Sequence, residues 1–459
     1  MSDTDTITTV NPATGKQLEE YSIQTKEQVD AILGTVSGAQ PAWAKRSFDE
    51  RGHVLRSVAE SLRSQRTDLA HLMAAEMGKP VGQGEAEADK CAWVCDFYAD
   101  HAEEMLADVA RESDLDRAWT VYRPMGTVLA VMPWNFPLWQ VLRFAAPTLM
   151  AGNTGLLKHA SSVTGSALAI EELFRAAGAD HVFRSLVLPS NRIEDIIADD
   201  RVSAVTLTGS EGAGRAVAAQ AGEHLKPSVL ELGGSDAYVV LADASVEQAA
   251  AACADSRLTN SGQSCIAAKR FIVVDDVYDQ FLEAFLTELR ERTVGDPTEA
   301  GTDVGPQAKA DLRDELHDQV KASVDAGAEL VLGGNIPDGA GAYYPVTALT
   351  NVEPGMVAFD EELFGPVAAV SRARDEQHAI SLANQSRFGL GGAVFTADVE
   401  RGRQIAADEM STGNCFVNAK VASDPRLPFG GIGVSGYGRE LSETGIQAFT
   451  NAKTVAVAS

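Results

Sequence analysis

Between residues 154 and 232 short apolar runs alternate with helical patterns, and no other feature restricts the fold of this chain as strongly. Thr154 to Leu157 reads as strand, Ser166 to Ala177 as helix, Arg184 to Leu188 as strand and Arg192 to Ala198 as helix. Ala204 to Leu207, Gly212 to Ala221 and Ser228 to Leu232 then repeat strand, helix, strand. Such repetition places the strands parallel, with crossover helices on the sheet faces. A second alternating region begins at Ala237 to Leu241. It runs through Phe271 to Val274, a 277–292 helix, Leu330 to Leu332 and Gly391 to Phe395, as far as about Val417. The predicted fold is α/β, with two doubly wound parallel-sheet domains, which suits a chain of 459 residues.

Around this frame, Asn11-Pro12-Ala13-Thr14-Gly15 signals a turn, and Lys26 to about Ala110 is helical. Trp119 to Met132 reads as strand and 141–151 as helix. Thr450 to Val457 is a largely apolar strand with no partner in its own neighbourhood. It pairs either with the 117–130 segment or with a sheet in another subunit, because an uncovered edge strand is a liability.

A net charge of -27 argues against binding nucleic acid through phosphates. With 12 lysines against 26 arginines, the acid-rich surface fits either a high-salt habitat or an ordinary acidic cytosolic enzyme. No run of eighteen apolar residues suggests a membrane span, and the acidic N-terminus lacks a signal-peptide pattern. Five scattered cysteines suit a reducing cytoplasm. Cys91 and Cys95, four apart on a helical pattern, read as buried thiols or half of a metal site; no metal is expected.

Chemistry gathers at Asn260-Ser261-Gly262-Gln263-Ser264-Cys265, where small and polar residues lead into one cysteine before a strand. A thiolate is a strong nucleophile, but at a pKa of about 8.5 the thiol needs activation. Pro133-Trp134-Asn135-Phe136-Pro137 follows an apolar strand, where Asn135 either donates to an oxyanion or caps a turn. Glu231 ends another strand, ahead of Gly233-Gly234; it is a buried base or a salt-bridged carboxylate. Gly209, Ser210 and Gly214 lie where a strand passes into a helix, the setting for binding phosphate. The Gly431-x-Gly433-x-x-Gly436 spacing has no strand before it and is set aside.

Together these residues resemble the aldehyde dehydrogenase superfamily from about Asn11 to Val457, through Pro133–Pro137, Lys158, Gly209-Ser210, Glu231-Leu-Gly-Gly, Gly262–Cys265, Glu362-Leu-Phe364-Gly-Pro-Val and Pro428-Phe-Gly-Gly. The resemblance implies that Cys265 is the nucleophile, that Asn135 and the Cys265 N–H form the oxyanion hole, and that Glu231 is the general base. It also implies that Trp134, Lys158, Ser161, Gly209, Ser210 and Gly214 bind the cofactor, with Glu362 and Phe364 positioning the nicotinamide ribose and ring. A Rossmann-like cofactor domain is expected at 1–116 and 131–231, a catalytic domain at 232–438, and a small β oligomerisation extension at 117–130 and 439–459. A homodimer or homotetramer follows.

Within the superfamily, Trp134 to Arg143 and Leu157 to Ser161 are similar to short bacterial succinate-semialdehyde dehydrogenases. Arg143, eight after Asn135, falls on the carboxylate-binding arginine, and Ser423 falls in the substrate anchor loop. Thr259 departs from the pattern, since some members carry a second arginine there. Ser161 stands where NAD-preferring relatives often carry Glu, so the expected cofactor is NADP, with NAD also usable. The expected substrate is an aldehyde, first succinate semialdehyde and otherwise another aliphatic or aromatic one. A silent scaffold protein is the reading from another class, and intact Cys265, Glu231 and Asn135 argue against it.

Overall fold

The computed structural model describes residues 6–458. Six strands form one sheet in the order Gly436–Tyr437, Ser228–Glu231, Val202–Thr208, Thr127–Met132, Thr154–His159 and Phe183–Ser185. All pairings are parallel except that of the edge pair Gly436–Tyr437. Thr127–Met132 comes first in the chain; the next two strands extend the sheet on one side and the following two on the other. The order therefore reverses between Thr127–Met132 and Val202–Thr208, where open α/β sheets place their ligands. Pro133–Pro137 and Gly209-Ser210 follow the carboxyl ends of those two strands.

The second sheet has seven strands: Glu329–Leu332, Thr347–Thr350, Val367–Ala373, Arg270–Val274, Ala237–Val240, Gly391–Phe395 and Asn414–Val417. It is parallel except at Glu329–Leu332. Residues 232–236 link the carboxyl end of Ser228–Glu231 to the amino end of Ala237–Val240. The carboxyl edge of one sheet thus meets the amino edge of the other, and the chemical motifs fall on that line.

Both faces of the six-stranded sheet are covered, which is why its strands read as unbroken apolar runs. On one face Val29, Ile32, Leu33 and Val36 of the helix Lys26–Trp43 pack on Leu129, Leu156, Val205 and Leu207. On the other lie Phe48–Ser64, Val81–Met105 and Trp139–Met150, the last buried at all twelve positions. Each large aliphatic side chain buried there contributes about 1.5–3 kcal/mol of transfer free energy. Cys91 and Cys95 belong to this core, and burial pushes both thiols up.

Three segments differ from their reading in the sequence. Residues 6–22 form an antiparallel hairpin, Thr6–Val10 against Gln17–Ser22, around the expected turn. Its strands are largely exposed and polar, so periodicity does not reveal them. Residues 127–130, assigned above to the extension, run in the middle of the six-stranded sheet. The break falls at Gly126, which has φ 139° and where a Cβ would lie 2.2 Å from Ser203 Oγ. Gly436–Tyr437, from the stretch assigned to the catalytic domain, closes an edge of that same sheet. Thr450–Val457 pairs antiparallel with Arg117–Pro124 over its full length.

Candidate active site

Cys265 follows three consecutive left-handed residues, Asn260, Ser261 and Gly262, at φ 54°, 56° and 77°. Two of them are not glycine, and each costs about 1–2 kcal/mol unless its surroundings hold it. Those surroundings are polar and dense. The Asn260 N–H donates to Gln83 Oε1 at 2.7 Å, the Gly305 N–H to Ser261 Oγ at 2.8 Å, and Arg257 to the Gly262 carbonyl at 2.6 Å. At Gly262 a Cβ would sit 2.3 Å from the Gly365 carbonyl, so no larger residue fits. Below the loop, the buried Lys269 ammonium donates to the carbonyls of Ser264 at 2.8 Å and Cys265 at 2.6 Å, and pairs with Glu362 at 3.2 Å.

Asn135 is buried beside this loop. Its Oδ1 accepts from Gln140 at 3.1 Å, and its Nδ2 donates to the Gln263 carbonyl at 3.0 Å. An amide NH₂ has two protons, so one donor is left over for an oxyanion. The 133–137 turn is fixed from two directions. Glu87 accepts from the N–H groups of Leu138 and Trp139, both at 2.9 Å, and is ion-paired with buried Lys79, which lies over the Phe136 ring. His159 Nε2 lies 2.9 Å from the Pro137 carbonyl, and Nδ1 lies 3.0 Å from the Ala160 nitrogen and 3.2 Å from the Met132 carbonyl. Burial holds His159 at a pKa of about 4, against the pull of both carbonyls.

Two cavities meet at Cys265. One, of about 280 Å³, is walled by Trp134, Asn135, Gly209, Ser210, Glu362 and Phe364 among others. Trp134 and Phe364 meet edge to face at 5.7 Å. Ser210 caps the helix Glu211–Glu223, its hydroxyl accepting from the Ala213 N–H at 3.4 Å. Open backbone at Gly209 and the N–H groups of this helix end suit a pyrophosphate, and the aromatic walls suit a nicotinamide. Lys158 and Ser161 lie outside that lining, at the end of the neighbouring strand Thr154–His159 and just beyond it. Lys158 is buried, bonds only Ser190 Oγ at 3.2 Å, and has no carboxylate partner among the described residues; burial lowers its pKa to about 8. Such a cation can receive a ribose phosphate. Gly214 stands apart: it is buried inside the helix, and a Cβ there would lie 2.6 Å from Leu232. Its smallness lets helix and strand approach.

The second cavity, of about 440 Å³, is walled by Phe136, Trp139, Ile266, Val421 and Phe429, with Arg143, Lys90 and Ser423 among its polar groups. Arg143 is buried, ion-paired to Glu440 and stacked on Phe429 at 4.8 Å. This salt bridge is buried at the cavity wall rather than set on the helix surface. Lys90 donates to Ser423 Oγ at 2.8 Å.

Glu231 lines neither cavity. Both of its carboxylate oxygens are buried without a hydrogen bond, and a Cβ at Gly430 would come within 2.6 Å of one of them. Burial, reinforced by the charge of Glu440, holds its pKa well above the carboxylate range; Arg143 and Arg439 pull the other way. The Cys265 thiol is half-buried and pushed up to about 12 by burial, against the pull of Lys269 and Arg143.

Sequence reasoning missed Gln140, Lys269, Glu440, Lys79, Glu87 and Lys90. No local signal marks them: of the 12 lysines, Lys79, Lys90, Lys158 and Lys269 lie at least half-buried around this site only once the chain has folded.

The sequence matches the Aldehyde dehydrogenase family over residues 1–455. It is 45% identical over 447 residues to a succinate semialdehyde dehydrogenase [NAD(P)+] of Escherichia coli strain K12, covering 97% of this chain and 96% of that one. It is 45% identical over 458 residues to a succinate-semialdehyde dehydrogenase [NADP(+)] of Mycobacterium avium strain 104, covering 99% and 97%. The structure of succinic semialdehyde dehydrogenase from Streptococcus pyogenes, in complex with NADP+ as the cofactor, superposes with a TM-score of 0.96 at 38% identity, covering 99% of this chain and all of that one. Agreement of this extent, end to end in both sequence and fold, means that the chain belongs to the aldehyde dehydrogenase family.

Proposed function

We propose that this protein oxidises succinate semialdehyde to succinate, with NADP as the preferred electron acceptor and NAD as a usable one. The observation that carries this reading is the meeting of two cavities at one thiol. One side offers aromatic walls and a helix N-terminus; the other offers an apolar sleeve ending in cations and a serine. The names of the relatives from E. coli, M. avium and S. pyogenes support it.

The residues act in sequence. The Cys265 thiolate bonds to the aldehyde carbon, and the carbonyl electron pair moves to oxygen, where the free Asn135 N–H and the Cys265 N–H hold it. Trp134 and Phe364 would hold a nicotinamide, which when bound would accept the hydride from the aldehyde carbon. The acyl group then stays on sulfur as a thioester. Glu231 takes a proton from water, the new oxygen bonds to the acyl carbon, and the carbon–sulfur bond breaks to return the thiolate. Glu231 gives up no hydrogen bond in taking this role. Arg143 and Ser423 hold the distal carboxylate of the substrate.

The deciding experiment follows reduced-nucleotide absorbance over a panel of succinate semialdehyde, butanal and benzaldehyde, with each cofactor. The expected ranking puts succinate semialdehyde with NADP first. A higher kcat/KM for butanal or benzaldehyde would move the assignment to the other aldehyde class, and a strong NAD preference would reverse the cofactor.

Three further points belong to this reading. Thr450–Val457 is an edge strand with one side unpaired among the described residues, and it serves a second copy in a homodimer or homotetramer. Light scattering should give a mass of two or four chains; a single-chain mass removes the idea. No helix among the described residues is long and apolar enough to cross a membrane, in keeping with a cytoplasmic enzyme. The net charge of -27 supports adaptation to high salt.

A further inference from the structure

The substrate-side cavity contains more positive charge than sequence motifs disclose, and most of that charge is already committed. Arg143 is turned toward Glu440 and packed on Phe429. Arg292 is paired with Asp255 at 2.8 Å and Glu288 at 3.3 Å. Lys420 is exposed at the rim, and Thr259 contributes only a hydroxyl, donated to the Asp255 carbonyl at 2.8 Å. Lys90 is different. It projects from the helix Val81–Met105, lies over the Trp139 ring at 4.2 Å, and donates to Ser423 Oγ at 2.8 Å. Nearby carboxylates are spoken for: Glu87 by Lys79 and two backbone N–H groups, Asp424 by Arg426. Among the described residues Lys90 has no ion-pair partner, although it is half-buried in a wall of aromatic rings. An ammonium has three donors, and only one is used here.

We propose that Lys90 is the principal charge partner of the substrate's distal carboxylate, with Ser423 sharing one oxygen and Arg143 orienting the other from behind. The inference rests on the dicarboxylate-semialdehyde reading above and names the group that enforces it. A buried cation lacking a counter-ion is costly, and an anionic substrate supplies the missing partner as it enters. An uncharged aldehyde does not, which turns the cost into discrimination.

The test compares wild type, Lys90→Met and Lys90→Arg on succinate semialdehyde and on butanal, with NADP saturating. Lys90→Met should lower kcat/KM for succinate semialdehyde by about 50-fold, mainly through KM, while changing butanal by less than about threefold. Lys90→Arg should restore most of the loss, because it returns the charge. Equal losses on both aldehydes would overturn the proposal and leave Lys90 a structural prop of the Ser423 loop. No loss on either would also overturn it. If the wild type itself shows no preference for succinate semialdehyde over butanal, the substrate reading fails instead. If that preference exists and survives in Lys90→Met, only the role of Lys90 fails.

Discussion

Cys265 and Glu231 both sit in surroundings that favour their neutral forms, and this sets how the resting enzyme reacts. Burial pushes the Cys265 thiol up to about 12, so near neutrality only a small fraction is thiolate. The sign follows directly: thiolate increases as pH rises toward the pKa, and nothing saturates below it. Alkylation of cofactor-free protein by iodoacetamide should therefore accelerate about tenfold per pH unit between about pH 7 and about pH 9. A rate that levels off by about pH 8 would mean a thiol with a much lower pKa than its burial dictates. Cys265, Asn135 and Glu231 stand out as candidates in the sequence because each stands in a local motif. Gln140, which orients Asn135, does not, since a glutamine in an apolar helix carries no mark of its partner.

At the scale of single elements, the turn at Pro133–Pro137 depends on groups from two other elements, and His159 is the one that titrates. Its folded pKa is depressed to about 4 from 6.5, so between those values the unfolded chain binds a proton that the native protein refuses. Stability from this group is full above the unfolded value and falls as pH drops toward the folded one. Chemical denaturation should show wild type losing about 2 kcal/mol between about pH 7 and about pH 5 on this account, a loss absent in His159→Gln. Identical pH dependence in the two proteins would show that His159 is not the responsible group. Helices and central strands were legible from periodicity, whereas the 6–22 hairpin was not, because exposed polar strands on both faces leave no alternation to read.

For the whole molecule, a net charge of -27 repels itself, and the repulsion is greatest when few counter-ions screen it. The melting temperature should rise on going from about 0.1 M to about 2 M KCl, where the Debye length shrinks to a few ångströms. A flat or falling melting temperature would remove the case for a high-salt habitat and leave an ordinary acidic enzyme. The sheet arrangement matters at this scale too. Residues 232–236 join the carboxyl edge of one sheet to the amino edge of the other, so the cofactor-side and substrate-side cavities face each other across Cys265.

By itself the sequence determined the α/β class and the parallel strands, and it marked the candidate reacting groups, because strand periodicity, turn glycines and motif spacing are local properties of the chain. Tertiary packing alone decided which charges are buried and what partners they meet. Lys90 and Lys269 look like ordinary lysines on paper, and become half-buried or buried only when segments far apart in sequence close over them. The same closing makes Glu440 the neighbour of Arg143 and Glu231. Burial and pairing depend on what arrives from elsewhere in the chain, and no window along the sequence contains that.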